Sequence, residues 1–89
     1  MNVPVNYIAP RNPGNALASI QYALSLTPID AVIISDPHDW DVAKSFSDHV
    51  LWATDPMELA KAMPGVYLIL DDVEKLTGVY EDGTHEPVD

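Results

Sequence analysis

Cysteine is absent from this 89-residue chain, which excludes a disulfide framework, a zinc finger and a Cys nucleophile and leaves stability to the packed core alone. Positive charge is scarce as well: four Lys and Arg face fourteen Asp and Glu, for a formal charge of −10. Arg11, Lys44, Lys61 and Lys75 are scattered singly, whereas binding to nucleic acid or an anionic membrane needs clustered cations. Neither is expected as a partner, and the acidic surface suits a basic protein. No apolar run approaches the ~18–20 residues that span a bilayer. The start, Met1-Asn2-Val3-Pro4, has no cationic stretch followed by an apolar one, so the expected location is the cytosol.

What is present is globular: 47% apolar residues against 20% charged ones suit one small folded domain, not a disordered acidic tail. That domain is expected over residues 1–80, with 81–89 as a flexible acidic tail. Charge is placed unevenly. Residues 1–29 contain Arg11 and no acid, while residues 30–89 carry all fourteen acids against three lysines, which predicts two electrostatic faces.

The pattern alternates between strand and helix. Residues 3–9 read as a first strand, closed by the Pro10-Arg11-Asn12-Pro13-Gly14 loop. From Asn15, Leu17, Ile20 and Leu24 recur at helical spacing with Ala16 and Ala23 beside them, until Thr27-Pro28 stops the helix. The β-branched run 31–35 reads as a strand covered on both faces, as in a parallel sheet. Asp36-Pro37 then opens a short helix with Trp40, Val42, Ala43 and Phe46, and 49–54 reads as a third strand. Asp55-Pro56-Met57-Glu58 is the clearest cap: Asp at the N-cap, Pro at the first helical position, and Glu placed to return a bond. Residues 66–70 are the most apolar strand, expected at the sheet centre or beside it. Beyond it, 72–76 suits one helical turn ended by Gly78, and 79–84 an exposed strand or hairpin arm with an Asp-Gly turn.

Strands alternating with short helices mean βαβ units. The expected fold is α/β: a small, mostly parallel four-stranded sheet with three helices in βαβαβαβ order, and a C-terminal edge strand or hairpin as an optional addition. So small a sheet leaves its faces open unless a partner or second copy covers them, which makes a homodimer an expectation.

A parallel sheet brings its strand C-termini to one edge. Here that edge would gather Asp36, Asp55, Asp71 and Asp72, with Asp39 close behind. Such carboxylates could hold Mg²⁺ for phosphoryl chemistry. In this respect the edge looks like the acidic pocket of response-regulator receiver domains or haloacid-dehalogenase phosphatases, although the motifs of those families are absent. Helix capping accounts for Asp36 and Asp55 as well. An anion site on Arg11, Gly14 and Asn15 at the first strand-to-helix loop is a further alternative; the loop has neither the three-glycine dinucleotide pattern nor a P-loop, and two prolines remove amide donors. His38 beside Asp36 and Asp39 is a general-base candidate without a nucleophile elbow or metal-ligand spacing; His49 begins the third strand and His85 lies in the tail.

The first helix bears no charge from Gly14 to Leu26, although a free solvent face normally carries Lys and Glu. Its outward residues, Ala18, Gln21, Tyr22 and Ser25, suit a contact surface, since interface cores are depleted in charge and enriched in aromatics. Trp40, flanked by Asp39 and Asp41, is expected to be more exposed than Trp52, and all three of Asp39, Trp40 and Asp41 to join that surface. The expected function is that of a non-catalytic protein-binding module with no cofactor. In size and acidity the chain resembles the small accessory proteins that bacteriophages use against host factors. That resemblance implies a host protein as partner, its inhibition as outcome and the host cytoplasm as location. A sharper variant is DNA mimicry by Asp39, Asp41, Asp48, Asp71, Asp72 and Glu74 toward a basic protein. The alternative is a small Mg²⁺- or nucleotide-binding domain built on the carboxylate edge.

Overall fold

A computed structural model describes residues 3–88; Met1 and Asn2 at the start of the expected domain, and Asp89 at the end of the expected tail, lie outside the described residues. The apolar run 66–70 becomes β4 (Tyr67–Asp71), flanked by β2 (Ala31–Ile34) on one side and β1 (Asn6–Pro10) on the other. β3 (Val50–Trp52) lies outside β2, and these four strands pair in parallel. β5 (Thr77–Val79) and β6 (His85–Pro87) extend the sheet beyond β1 as an antiparallel hairpin, for the order β3-β2-β4-β1-β5-β6.

The α/β class matches the sequence pattern, but the sheet is six-stranded and mixed where four mostly parallel strands were expected. The difference lies in residues 72–88. No helical turn forms over 72–76, and Gly78 stops nothing: it sits inside β5 opposite Tyr7. A Cβ at that position would lie 2.8 Å from Pro4 Cγ, so glycine is required for the strand to pass beneath Pro4. The expected tail from 81 onward is likewise taken up by the hairpin turn and β6. The Asp-Gly turn closes through Tyr80 N–H to the Thr84 carbonyl and Gly83 N–H to the Tyr80 carbonyl, both 2.9 Å, with Gly83 at φ +90°. Val88 N–H then donates to the Leu76 carbonyl at 2.8 Å, and its side chain packs on the core. These bonds hold a stretch that composition alone marks as solvated.

The path of the chain fixes the layers. It runs through α1 (Leu17–Leu26) and α2 (Trp40–Phe46) in one direction along the sheet, from β1 to β2 to β3, then returns through α3 (Pro56–Ala62) to β4. With right-handed crossovers, a reversal of direction moves the helix to the opposite face. Accordingly Tyr7, Ala9, Val32, Ile34, Leu68 and Leu70 meet Ile20 of α1 and Ala43 of α2. Ile8, Ala31, Ile33, Tyr67 and Ile69 meet Ala60 of α3. Strand alternation thus gives each central strand two buried faces, which explains the continuous apolar runs.

The helices stop short of the hairpin. On one face this leaves an open cleft beside α1, and on the other a cleft between α3 and β5–β6. Among the described residues no helix is long and apolar enough to cross a membrane.

Candidate functional site

The C-terminal edge of the parallel strands does gather acids, but around a cation. Arg11, the first residue after β1, places Nε 3.1 Å from Asp39 Oδ2, Nη2 3.8 Å from Asp71 Oδ1 and Nη1 3.8 Å from Asp72 Oδ2. Nη2 also donates to Ser35 Oγ at 2.9 Å. One guanidinium therefore ties the ends of β1, β2 and β4 to the 3₁₀ turn Pro37–Asp39. Arg11 Nε and Asp39 Oδ2 are both buried, and they face each other out of hydrogen-bonding line, so their attraction is Coulombic alone. Burial raises the Asp39 carboxyl above its ordinary value of 3.8 against the pull of Arg11, and the charges of Asp36 and Asp72 add to the rise.

The other acids of the edge are used locally. Asp36 is the N-cap of the 3₁₀ turn and accepts from the His38 amide at 3.0 Å and its Nδ1 at 2.9 Å. The amide bond, followed by the ring, holds Asp36 below the ordinary carboxylate value. Asp55 caps α3 by accepting from Glu58 N at 3.2 Å; the expected return bond from Glu58 is absent among the described residues. Asp71 Oδ1 accepts from the Asp72 amide at 2.8 Å. Among the described residues no three His, Asp or Glu side chains stand together so as to hold a metal ion. Asp36, Asp55, Asp71 and Asp72 are thus two helix caps and two partners of Arg11, not one ligand set. An anion at Arg11, Gly14 and Asn15 would meet three carboxylates on the only arginine, so that site is not formed. His38 stands 94% exposed on the turn, and His49 and His85 are exposed elsewhere.

The α1 surface is different in kind. Of its ten residues only Ile20 is buried. Ala18, Gln21, Tyr22 and Ser25 are all exposed, as their helical spacing predicts. Two large side chains protrude, Tyr22 at 68% and Leu26 at 67% exposure. Both border an open cleft of about 460 Å³ whose other walls include Tyr7, Ala23 and Val88. An uncharged helix thus presents an aromatic and an aliphatic knob beside an apolar hollow.

Two residues expected at the contact surface need correction. Asp39 is buried with 7% of its surface exposed, so it belongs to the Arg11 cluster and to neither a binding face nor a phosphate-like array. Trp40 is exposed at 49%, but Trp52 is more so, at 58%. Trp52 lies at the end of the edge strand β3, where no further strand covers it, and register with Ile34 puts it on the α1/α2 side. Trp40 lies under the Lys44 ammonium, 5.8 Å from the ring centroid, and Asp41 beside it is exposed. The exposure of Trp52 was legible only in strand order, and the Arg11 hub only in the convergence of strand ends. Compared with protein-family models, with curated proteins and with solved structures, the chain finds no match.

Proposed function

We propose that the protein is a non-catalytic binding module that docks a protein partner through the outer face of α1. The observation that carries this reading is the pair Tyr22 and Leu26, more than two-thirds exposed beside an apolar cleft on a helix without charge. Removing an exposed aromatic and leucine from water stabilises a complex by roughly 25 cal/mol per Å² of apolar area, and Tyr is among the residues that dominate interface energies. Trp40 and Trp52 lie on the same side of the sheet and extend the apolar character of that side. The acids contribute long-range attraction to a basic partner, faster association and salt dependence of rate. The likeness to phage accessory proteins rests on size and acidity and directs the search to the proteins of a bacterial host, with inhibition as the effect to assay. A second copy of the chain is the competing occupant of the same face, since a surface without charge lets two molecules at −10 meet with less local repulsion.

The test is capture of partners from a bacterial lysate on the tagged protein, washed in parallel at low and high salt, with light scattering of the protein alone. A stoichiometric partner that survives high salt supports docking through α1. Retention only at low salt points instead to charge mimicry by the exposed acids. A dimer in the absence of lysate assigns the face to self-association.

A further inference from the structure

We infer that the cleft on the α3 side of the sheet is a site for a small zwitterion with an apolar body, of the class of the apolar α-amino acids. This proposal is independent of α1, which lies on the opposite face. The cleft encloses about 430 Å³ between α3 and the β5–β6 hairpin, within the ~300–1,000 Å³ of small-molecule sites. Its apolar wall is made by Met57, Ala60, Met63 and Val79. Two methionines form an adaptable surface, because an unbranched thioether side chain refits around different shapes.

Beside His85 of β6, neutral in the formal charge count, the rim carries one charge of each sign, from different elements. Lys61 projects from the last turn of α3, and Glu81 from the hairpin turn; both are exposed and both line the cleft. Arg11 and Lys44 are paired, whereas Lys61, Lys75 and Glu81 pair with nothing among the described residues, and of the two unpaired lysines only Lys61 lines the cleft. The charged atoms of Lys61 and Glu81 therefore stand more than 4.0 Å apart, with the apolar wall between the elements that carry them. A monoanion would meet Glu81 as well as Lys61, and a monocation the reverse. A zwitterion sets its carboxylate toward Lys61 and its ammonium toward Glu81 and adds no net charge. Exposed ion pairs contribute little each, so the apolar wall supplies most of the affinity and the two rim charges select the ligand.

The experiment titrates the protein with L-phenylalanine, with phenethylamine and with 3-phenylpropionate, following amide shifts by two-dimensional NMR. The three probes share one apolar body and differ only in charge. Expected are saturable shifts around Met57, Lys61, Met63 and Glu81, with phenylalanine bound roughly 2–5-fold more tightly than either analogue. Lys61→Gln then removes the preference over phenethylamine, and Glu81→Gln removes the preference over 3-phenylpropionate. Both side chains are exposed, so the variants keep the wild-type spectrum elsewhere. Equal affinity for all three probes, shifts confined to α1, or no saturable shift at about 10 mM ligand overturns the proposal.

Discussion

The C-terminal edge of the sheet and the outer face of α1 invert the usual association of charge with function. The edge carries the side chains that chemistry prefers, yet Asp36 and Asp55 cap helices and Asp39, Asp71 and Asp72 surround Arg11. The α1 face carries no ionisable group but Tyr22, yet Tyr22 and Leu26 stand about two-thirds exposed. At the edge, charges compensate one another, although Arg11 Nε and Asp39 Oδ2 make no hydrogen bond; on α1, large apolar side chains stay exposed. Under the proposed function, the second condition is the one that a partner relieves.

The largest expected effect breaks the inner attachment of α1. Ile20 is its one fully buried side chain, and Ile20→Ala should destabilise by about 3 kcal/mol, from lost burial plus the cavity left behind. Urea unfolding measures this. A loss below about 1 kcal/mol would mean that α1 is held by something other than that contact. Next is the edge: Arg11→Ala leaves Asp39 buried beside Asp71 and Asp72 without a countercharge. Removing one member of a buried pair costs about 3–5 kcal/mol, and with the Arg11 side chain 31% exposed the expected loss is nearer 2 kcal/mol. An unchanged unfolding midpoint would make the cluster ornamental.

A smaller effect separates the two forces on Asp39. Its carboxyl is raised, with burial prevailing over Arg11, so the folded state holds this proton more tightly than the unfolded chain. Its ionisation therefore opposes folding, and that opposition sets in as pH rises from 3.8 through the folded value. Asp36, lowered by its bonds to His38, acts with the opposite sign: its stabilisation is present above 3.8 and is lost as pH falls through its folded value. Asp39→Asn should consequently gain on the wild type as pH rises from ~3.5 to ~7, by less than about 1 kcal/mol in urea unfolding. A difference that shrinks over that range would show that Arg11, not burial, governs the site.

How much of this was legible in the sequence follows from how local each cause is. The β-branched run 31–34, the Asp55-Pro56 cap and the exposed set Ala18, Gln21, Tyr22 and Ser25 depend on neighbours in the chain, and each reads directly. Gly78 misled because a glycine after a polar stretch resembles a helix stop, whereas its cause is Pro4, brought against it by sheet pairing. Arg11 and Asp39 misled for the same reason: their partners are distant in sequence and meet only when the ends of β1, β2 and β4 converge. Trp40 was ranked above Trp52 by its acidic neighbours, whereas the exposure of Trp52 is set by β3 lying at the sheet edge. Non-local geometry thus decided every correction.

The most direct test of the contrast between the two regions compares three tagged proteins as baits in one bacterial lysate: wild type, Tyr22→Asp with Leu26→Asp, and Asp71→Asn with Asp72→Asn. Both double variants alter exposed positions, so each should stay within about 0.5 kcal/mol of wild-type stability. The account predicts a salt-resistant partner that is kept by the Asp71/Asp72 variant and lost by the Tyr22/Leu26 variant. Retention by the Tyr22/Leu26 variant together with loss from the Asp71/Asp72 variant would contradict it and move the functional surface to the acidic edge.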